Sequence, residues 1–256
     1  MRIDRCAAVA VLALTAACAA VPTVDVPQPV HVQPFSGGQP GEVLLRGWQP
    51  WILSRHKRPT EYRLTDDQGR TVVQARADAS ASGLVHQLAL DPQAHPQLSW
   101  RWKVDNLIAG ADNTQRHLED SPVRLVVSFA GDMKRLPLQD RMFFDNVRLL
   151  TGQQLPYAML MYIWENRAPV DSVINNRHTS RIRMIVAASG TDRVGSWQEI
   201  SRNLLEDYRR AFGEEPGRIT AIGIMTDTDN TGGRAQAWYG DIAFGKLPAE
   251  PVIAER

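Results

Sequence analysis

The sequence predicts a mainly β protein, an antiparallel β-sandwich with one covering α-helix. Three observations predict it. Apolar and polar residues alternate over many short segments, turn signals separate those segments closely, and one segment alone carries a helical period.

The elements follow in chain order. Arg2 and Arg5 precede the apolar run Cys6 to Val21, which stops at Pro22 and is too short and Ala-rich to span a bilayer. Residues 1–17 read as a secretory signal of the lipoprotein type. Leu14-Thr15-Ala16-Ala17-Cys18 resembles a lipobox, with Thr15 where Leu is usual, and Cys18 is the expected lipidation site. Ordinary cleavage after Ala17 or Ala19 is the alternative. Residues 18–42 are rich in Pro and Gly and read as a linker, about 60 Å long if extended. Residues 43–245 form one β-sandwich domain, and residues 246–256 a flexible tail.

Within the domain, Leu98, Trp100, Trp102 and Val104 share one face of a strand and Ser99, Arg101 and Lys103 the other. Val123 to Phe129 alternates less cleanly and suits an inner strand. Arg181 to Ser189 points Arg181 and Arg183 one way and Ile182, Met184 and Val186 the other. Further strands are expected over 61–64, 71–75, 83–89, 158–164, 219–225 and 235–244, between turn signals such as Asp67-Gln68-Gly69. The helix is expected to start at Ser196, where Ser196 and Glu199 have capping-box spacing. Ile200, Leu204, Tyr208 and Ala211 recur on one face, and Gly213 ends it.

Charge and cysteine limit the function classes. Removing residues 1–17 takes Arg2, Arg5 and Asp4 from a chain with 29 basic and 28 acidic residues and leaves the charges balanced. A balanced chain argues against nucleic acid as partner. Cys18 is then the only cysteine, so the fold rests on its core rather than on cross-links. The sequence holds no close His pair, GxSxG elbow, phosphate loop or CxxC.

Glu119 to Phe129, Thr151 to Trp164, Arg210 to Thr231 and Ala237 to Ile242 together resemble hallmarks of DUF3047, a family of bacterial envelope proteins of unknown function. The resemblance spans Trp48 to Phe244. It implies the boundaries and fold of the domain and no activity. The family's first motif usually starts with two Asp, whereas Glu119-Asp120 stands here. The late strand running from Trp238-Tyr239 into Gly-Asp-Ile is similar to the closing strand of galactose-binding-like jelly rolls, among which carbohydrate-binding modules abound. The expected sandwich is therefore of jelly-roll type.

Candidate site residues gather around TDTDNTGG, residues 226–233. Asp227, Asp229, Thr231 and Gly232 match the early positions of an EF-hand, but Trp238 stands where the final bidentate Glu is required. Asp227, Asp229 and Asn230 remain candidate Ca²⁺ ligands. A plain turn and the lip of a binding site are the other readings. Glu119 and Asp120 precede one strand as Asp227 follows another. If the two strand ends share a rim, Asp120 and Asp227 come within the separations of glycosidase carboxylates, about 5 to 10 Å. The local alternative pairs Asp120 with Arg124. Trp164, Trp238 and Tyr239 are candidate sugar-stacking rings, although adjacent Trp238 and Tyr239 must face opposite sides of a strand. Ser54 to Arg58, with Arg181 and Arg183, reads as a solvated basic face or a receiver of anionic polymer.

The leading expectation is a non-catalytic, lipid-anchored protein of the periplasm or outer membrane that binds a glycan or another envelope component. Ala19 and Ala20 lack the Asp that commonly retains lipoproteins at the inner membrane. The alternatives are a carbohydrate-active hydrolase using Asp120 and Asp227, and a structural envelope scaffold.

Overall fold

The structure is a computed structural model that describes residues 31–43 and 45–245. The expected signal, Cys18, most of the linker and the tail lie outside the described residues. Two sheets pack face to face. The larger has the strand order β1 (Trp48–Trp51), β4 (Ala81–Leu90), β11 (Ile219–Asp227), β6 (Ser121–Phe129), β7 (Ala158–Glu165), β9 (Ile182–Ser189) and β8 (Val173–Asn175). The smaller runs β10 (Gln198–Asn203), β5 (Gln97–Val104), β12 (Arg234–Gly245), β3 (Arg70–Asp78) and β2 (Glu61–Asp67). The expected sandwich is thus present. Its pairings are antiparallel except that β7 and β9 run parallel.

Period-two alternation builds the core. On β5, Leu98, Trp100, Trp102 and Val104 are all buried, facing Leu125, Val127 and Phe129 of β6 and Leu160, Tyr162 and Trp164 of β7 across the interior. The intervening residues of the larger sheet point outward. There Val126, Met159, Met161, Ile163, Met184 and Val186 form a second apolar cluster, so this sheet is covered on both faces. That explains the weak alternation of Val123 to Phe129.

Among the described residues two α-helices accompany the sheets where one was expected. α1 (Leu138–Thr151) follows Pro137 and ends at Gly152, whose φ of 74° is the left-handed conformation that glycine adopts freely. α2 (Leu204–Phe212) is the expected helix, but it starts later than Ser196. Residues 198–203 are instead strand β10, paired with β5, and the helix cap is Asn203, whose side chain accepts from the Glu206 N–H. Leu204 and Tyr208 of α2 bury into the core beside Phe129.

The domain also begins before residue 43. Phe35 is buried against Trp48 at 4.5 Å between ring centroids, and the Ser36 N–H and hydroxyl donate to Asp241. The described end of the expected linker therefore packs on the sandwich.

Candidate functional site

The structure brings the predicted carboxylates together at one end of β6 and β11. One oxygen each from Asp120, Asp227 and Asp229 lies within 4.8 Å of the others. Five of their six oxygens, however, already have partners. Arg124 donates from Nε to Asp227 Oδ1 at 2.9 Å and from Nη2 to Oδ2 at 3.2 Å, and the Ser121 N–H donates to Oδ1. Asp120 accepts from the backbone N–H groups of Asn230 and Thr231 and from the Thr231 hydroxyl. Asp229 Oδ2 meets Lys57 Nζ at 2.6 Å, which draws part of the basic stretch 54–58 onto the loop. Arg124 thus pairs with distant Asp227 and not with nearby Asp120.

This network fixes the loop. Asn230 donates its side-chain amide to the Glu119 carbonyl, and Arg124 Nη2 donates to the same carbonyl and to Asn113 Oδ1. Asn176 reaches the Glu119 carboxylate, which burial raises above its ordinary value. Burial likewise lifts Asp227 to about 6 against the opposing pull of Arg124. Arg124 is itself held above its ordinary value: burial lowers it, but Asp227 and Glu119 outweigh that cost. A divalent cation among these three aspartates would have to displace a guanidinium or an ammonium. Of the oxygens of these three aspartates, Asp229 Oδ1 alone is buried without a partner. The residues therefore fit a protein latch better than the expected Ca²⁺ site, in which Asn230 offers its nitrogen to a carbonyl.

The aromatic candidates separate. Trp164 and Tyr239 are 0% and 1% exposed, so neither offers a ring face to a ligand. Trp164 donates to the Gly190 carbonyl, and the Tyr239 hydroxyl donates to the Met225 carbonyl beside Thr226. Both are core residues because their strands aim them between the sheets. Trp238 points outward from the smaller sheet, but Lys103 Nζ stands 4.3 Å from its ring centroid. Arg181 is also buried, against Glu214, and is no part of a solvated basic face.

A ligand-sized space lies elsewhere among the described residues. A cavity of about 580 Å³ opens on the outer face of the larger sheet and is lined by none of the predicted site residues. Its floor is Val85, Val126, Met159, Ala221 and Gly223, outward positions of β4, β6, β7 and β11. Trp51 forms one wall. A Cβ on Gly83 would lie 3.0 Å from Trp51 Cε3, so this strand glycine helps make the hollow that seats the indole, and Gly223 leaves ordinary contact distance to the same ring. Tyr157 forms the opposite wall, held between Arg181, 4.1 Å from its ring centroid, and Gly131, where a Cβ would lie 2.2 Å from the ring. Gln153 donates its amide across one end to the Ile52 carbonyl. Gln87, Ser128, Gln154 and Thr220 supply the other polar side chains, and no lining residue is charged.

The volume is that of a small-molecule site, roughly 300 to 1,000 Å³. An uncharged lining with two aromatic walls can hold a neutral ligand through ring contact and amide or hydroxyl hydrogen bonds. It supplies neither a carboxylate pair nor a nucleophile activated by a base. Sequence reading missed Trp51, Gln87, Ser128, Gln153 and Tyr157 because four separate segments contribute them. Gly83 and Gly223 inside strands were the available signal.

Fold and cavity define the class: a two-sheet β-sandwich with a neutral, ligand-sized hollow on the outer face of its larger sheet. The chain belongs to the DUF3047 family, described as a protein of unknown function, whose profile matches residues 46–243. No curated protein matches the sequence. Among solved structures, the Endo-D glycoside hydrolase domain Spr0440 of Streptococcus pneumoniae R6 is similar at 11% identity and a TM-score of 0.34, over 80% of this chain and 22% of that one. A loop-swap mutant of Necallimastix patriciarum Xyn11A is similar at 9% identity and a TM-score of 0.32, over 80% of this chain and 91% of that one. At such scores neither likeness bears on function.

Proposed function

We propose that this chain is a non-catalytic binding protein that takes a neutral, sugar-containing envelope component into the cavity beside Trp51. One observation carries the reading: a cavity of about 580 Å³ with aromatic walls, amide and hydroxyl groups, and no charged lining residue. Sugars offer hydroxyls to such groups and apolar ring faces to aromatic walls. The hydrolase alternative rests on Asp120 and Asp227, whose oxygens face Thr231, Asn230, Ser121 and Arg124. It is the weaker reading for that reason.

In the same proposal the protein is exported and held at the outer membrane through lipidated Cys18. A glycan array probed with the full chain tests the ligand class: retention of neutral glycans supports it, and blank arrays oppose it. Membrane fractionation of Cys18→Ala tests the anchor, which predicts release into the soluble periplasm. Unchanged fractionation would remove it.

A further inference from the structure

Helix α1 is apolar on two opposite faces. Its inner face is spoken for: Phe144 is buried, Phe143 stacks on His178 at 5.7 Å, and Asp140 accepts from Thr179 and Ser180. Its outer face carries Leu138, Met142 and Leu149, which fall within one narrow stripe at helical spacing and are 66%, 58% and 83% exposed. Leu150, also 83% exposed, lies about a quarter turn away from the stripe. Single exposed apolar residues need no explanation, but several along one helix mark a contact surface.

Charge indicates what that surface meets. Lys134 and Arg135 just before α1, and Arg141 and Arg148 on it, are exposed, against Asp132 and Asp145. A basic excess flanking an apolar stripe is the pattern of helices that lie in the boundary between anionic headgroups and acyl chains. A second copy of the chain, docking the same patch on itself, would set these basic groups against their own like charges. At 14 residues α1 is also shorter than the roughly 20 needed to span a bilayer, so it can only lie along one.

We propose that α1 docks on the surface of an anionic lipid bilayer through Leu138, Met142 and Leu149, with the cavity mouth beside the headgroups. The cavity is drawn in because Met133 and Gln153, which line it, precede and follow α1. Docking therefore brings the site to the membrane whether or not its ligand is a sugar.

The test uses the full chain with Cys6→Ala and Cys18→Ala. A fluorophore is attached at Met142→Cys or, for comparison, at Ala243→Cys on the outer face of the smaller sheet. Vesicles of mixed phosphatidylglycerol and phosphatidylcholine carry a nitroxide-labelled lipid. The expected result is several-fold stronger quenching at position 142 than at 243, less in pure phosphatidylcholine, and loss of the difference in Leu138→Glu with Leu149→Glu at an unchanged melting temperature. Equal quenching at the two positions, or quenching that survives the double substitution, would overturn docking through α1. Equal quenching in neutral vesicles would overturn the requirement for anionic lipid. A concentration-dependent change at 142 without vesicles would replace the membrane by a second copy.

Discussion

Arg124 of β6 and Asp227 of β11 meet through two parallel hydrogen bonds of 2.9 and 3.2 Å, both side chains buried beneath the segment that carries Asn113 and Glu119. Removing one partner leaves the other charge buried, which costs about 3 to 5 kcal/mol. Arg124→Ala and Asp227→Ala should each lower the stability measured by urea unfolding by that order. Arg124→Met with Asp227→Leu should cost less than the two single losses together, because no unpaired charge remains.

The same pair predicts an unusual response to acid. Asp227 lies at about 6, above its ordinary 3.8, so the folded chain binds this proton before the unfolded chain does. Its contribution to stability therefore rises as pH falls from about 6 to about 4 and is constant below that. Asp67, Asp140 and Glu214 behave oppositely. Burial would raise them, but hydrogen bonds from Lys103 and Trp197, from Ser180 and Thr179, and from Arg181 hold them below their ordinary values. The stability they add at neutral pH is lost as pH falls through those depressed values. Unfolding midpoints across pH should show acid loss setting in only below about 4, and Asp227→Asn should remove the component between about 4 and 6.

Calcium should leave thermal stability unchanged, since Arg124 and Lys57 already face the aspartates. A cation bound only by the folded chain would add about 2.7 kcal/mol at a hundred times its Kd. Calorimetry in EDTA and in millimolar Ca²⁺ distinguishes the two. A raised midpoint in Ca²⁺ would mean that the guanidinium or the ammonium gives way to metal.

Much of the fold was legible because burial on one side writes a clear period. Leu98 to Val104 is the plainest case, and all four of its apolar residues reach the core. Residues 196–203 misled because Ile200 fits the helical spacing with Leu204 and Tyr208, while pairing with β5 outweighed the local cap at Ser196. α1 was missed for a related reason. Phe143 and Phe144 turn inward and Leu138, Met142 and Leu149 outward, so no single apolar stripe stands out, although Pro137 and Gly152 bracket the helix. The grouping of Asp120 with Asp227 was foreseeable from two strand ends. The intervention of Arg124 was not, since its partner is 103 residues away.

Gly131→Ala should disturb the cavity from its wall. The new Cβ would lie 2.2 Å from the Tyr157 ring, which Arg181 and Glu214 hold in place. Overpacking of this kind costs about 1 to 3 kcal/mol. A lower melting temperature with weakened ligand binding is expected. Unaltered binding would mean that Tyr157 is not a wall of the site.

On the proposed reading, ligand binds beside Trp51 and not at the Asp120, Asp227 and Asp229 loop. Isothermal titration of the strongest array ligand into wild type, Trp51→Ala and Asp229→Asn compares the two places directly. Trp51→Ala should weaken binding about tenfold or more, equivalent to some 1.4 kcal/mol, at a near-native melting temperature, while Asp229→Asn should leave affinity within about twofold. Full affinity in Trp51→Ala with loss in Asp229→Asn would move the site from the cavity to the loop.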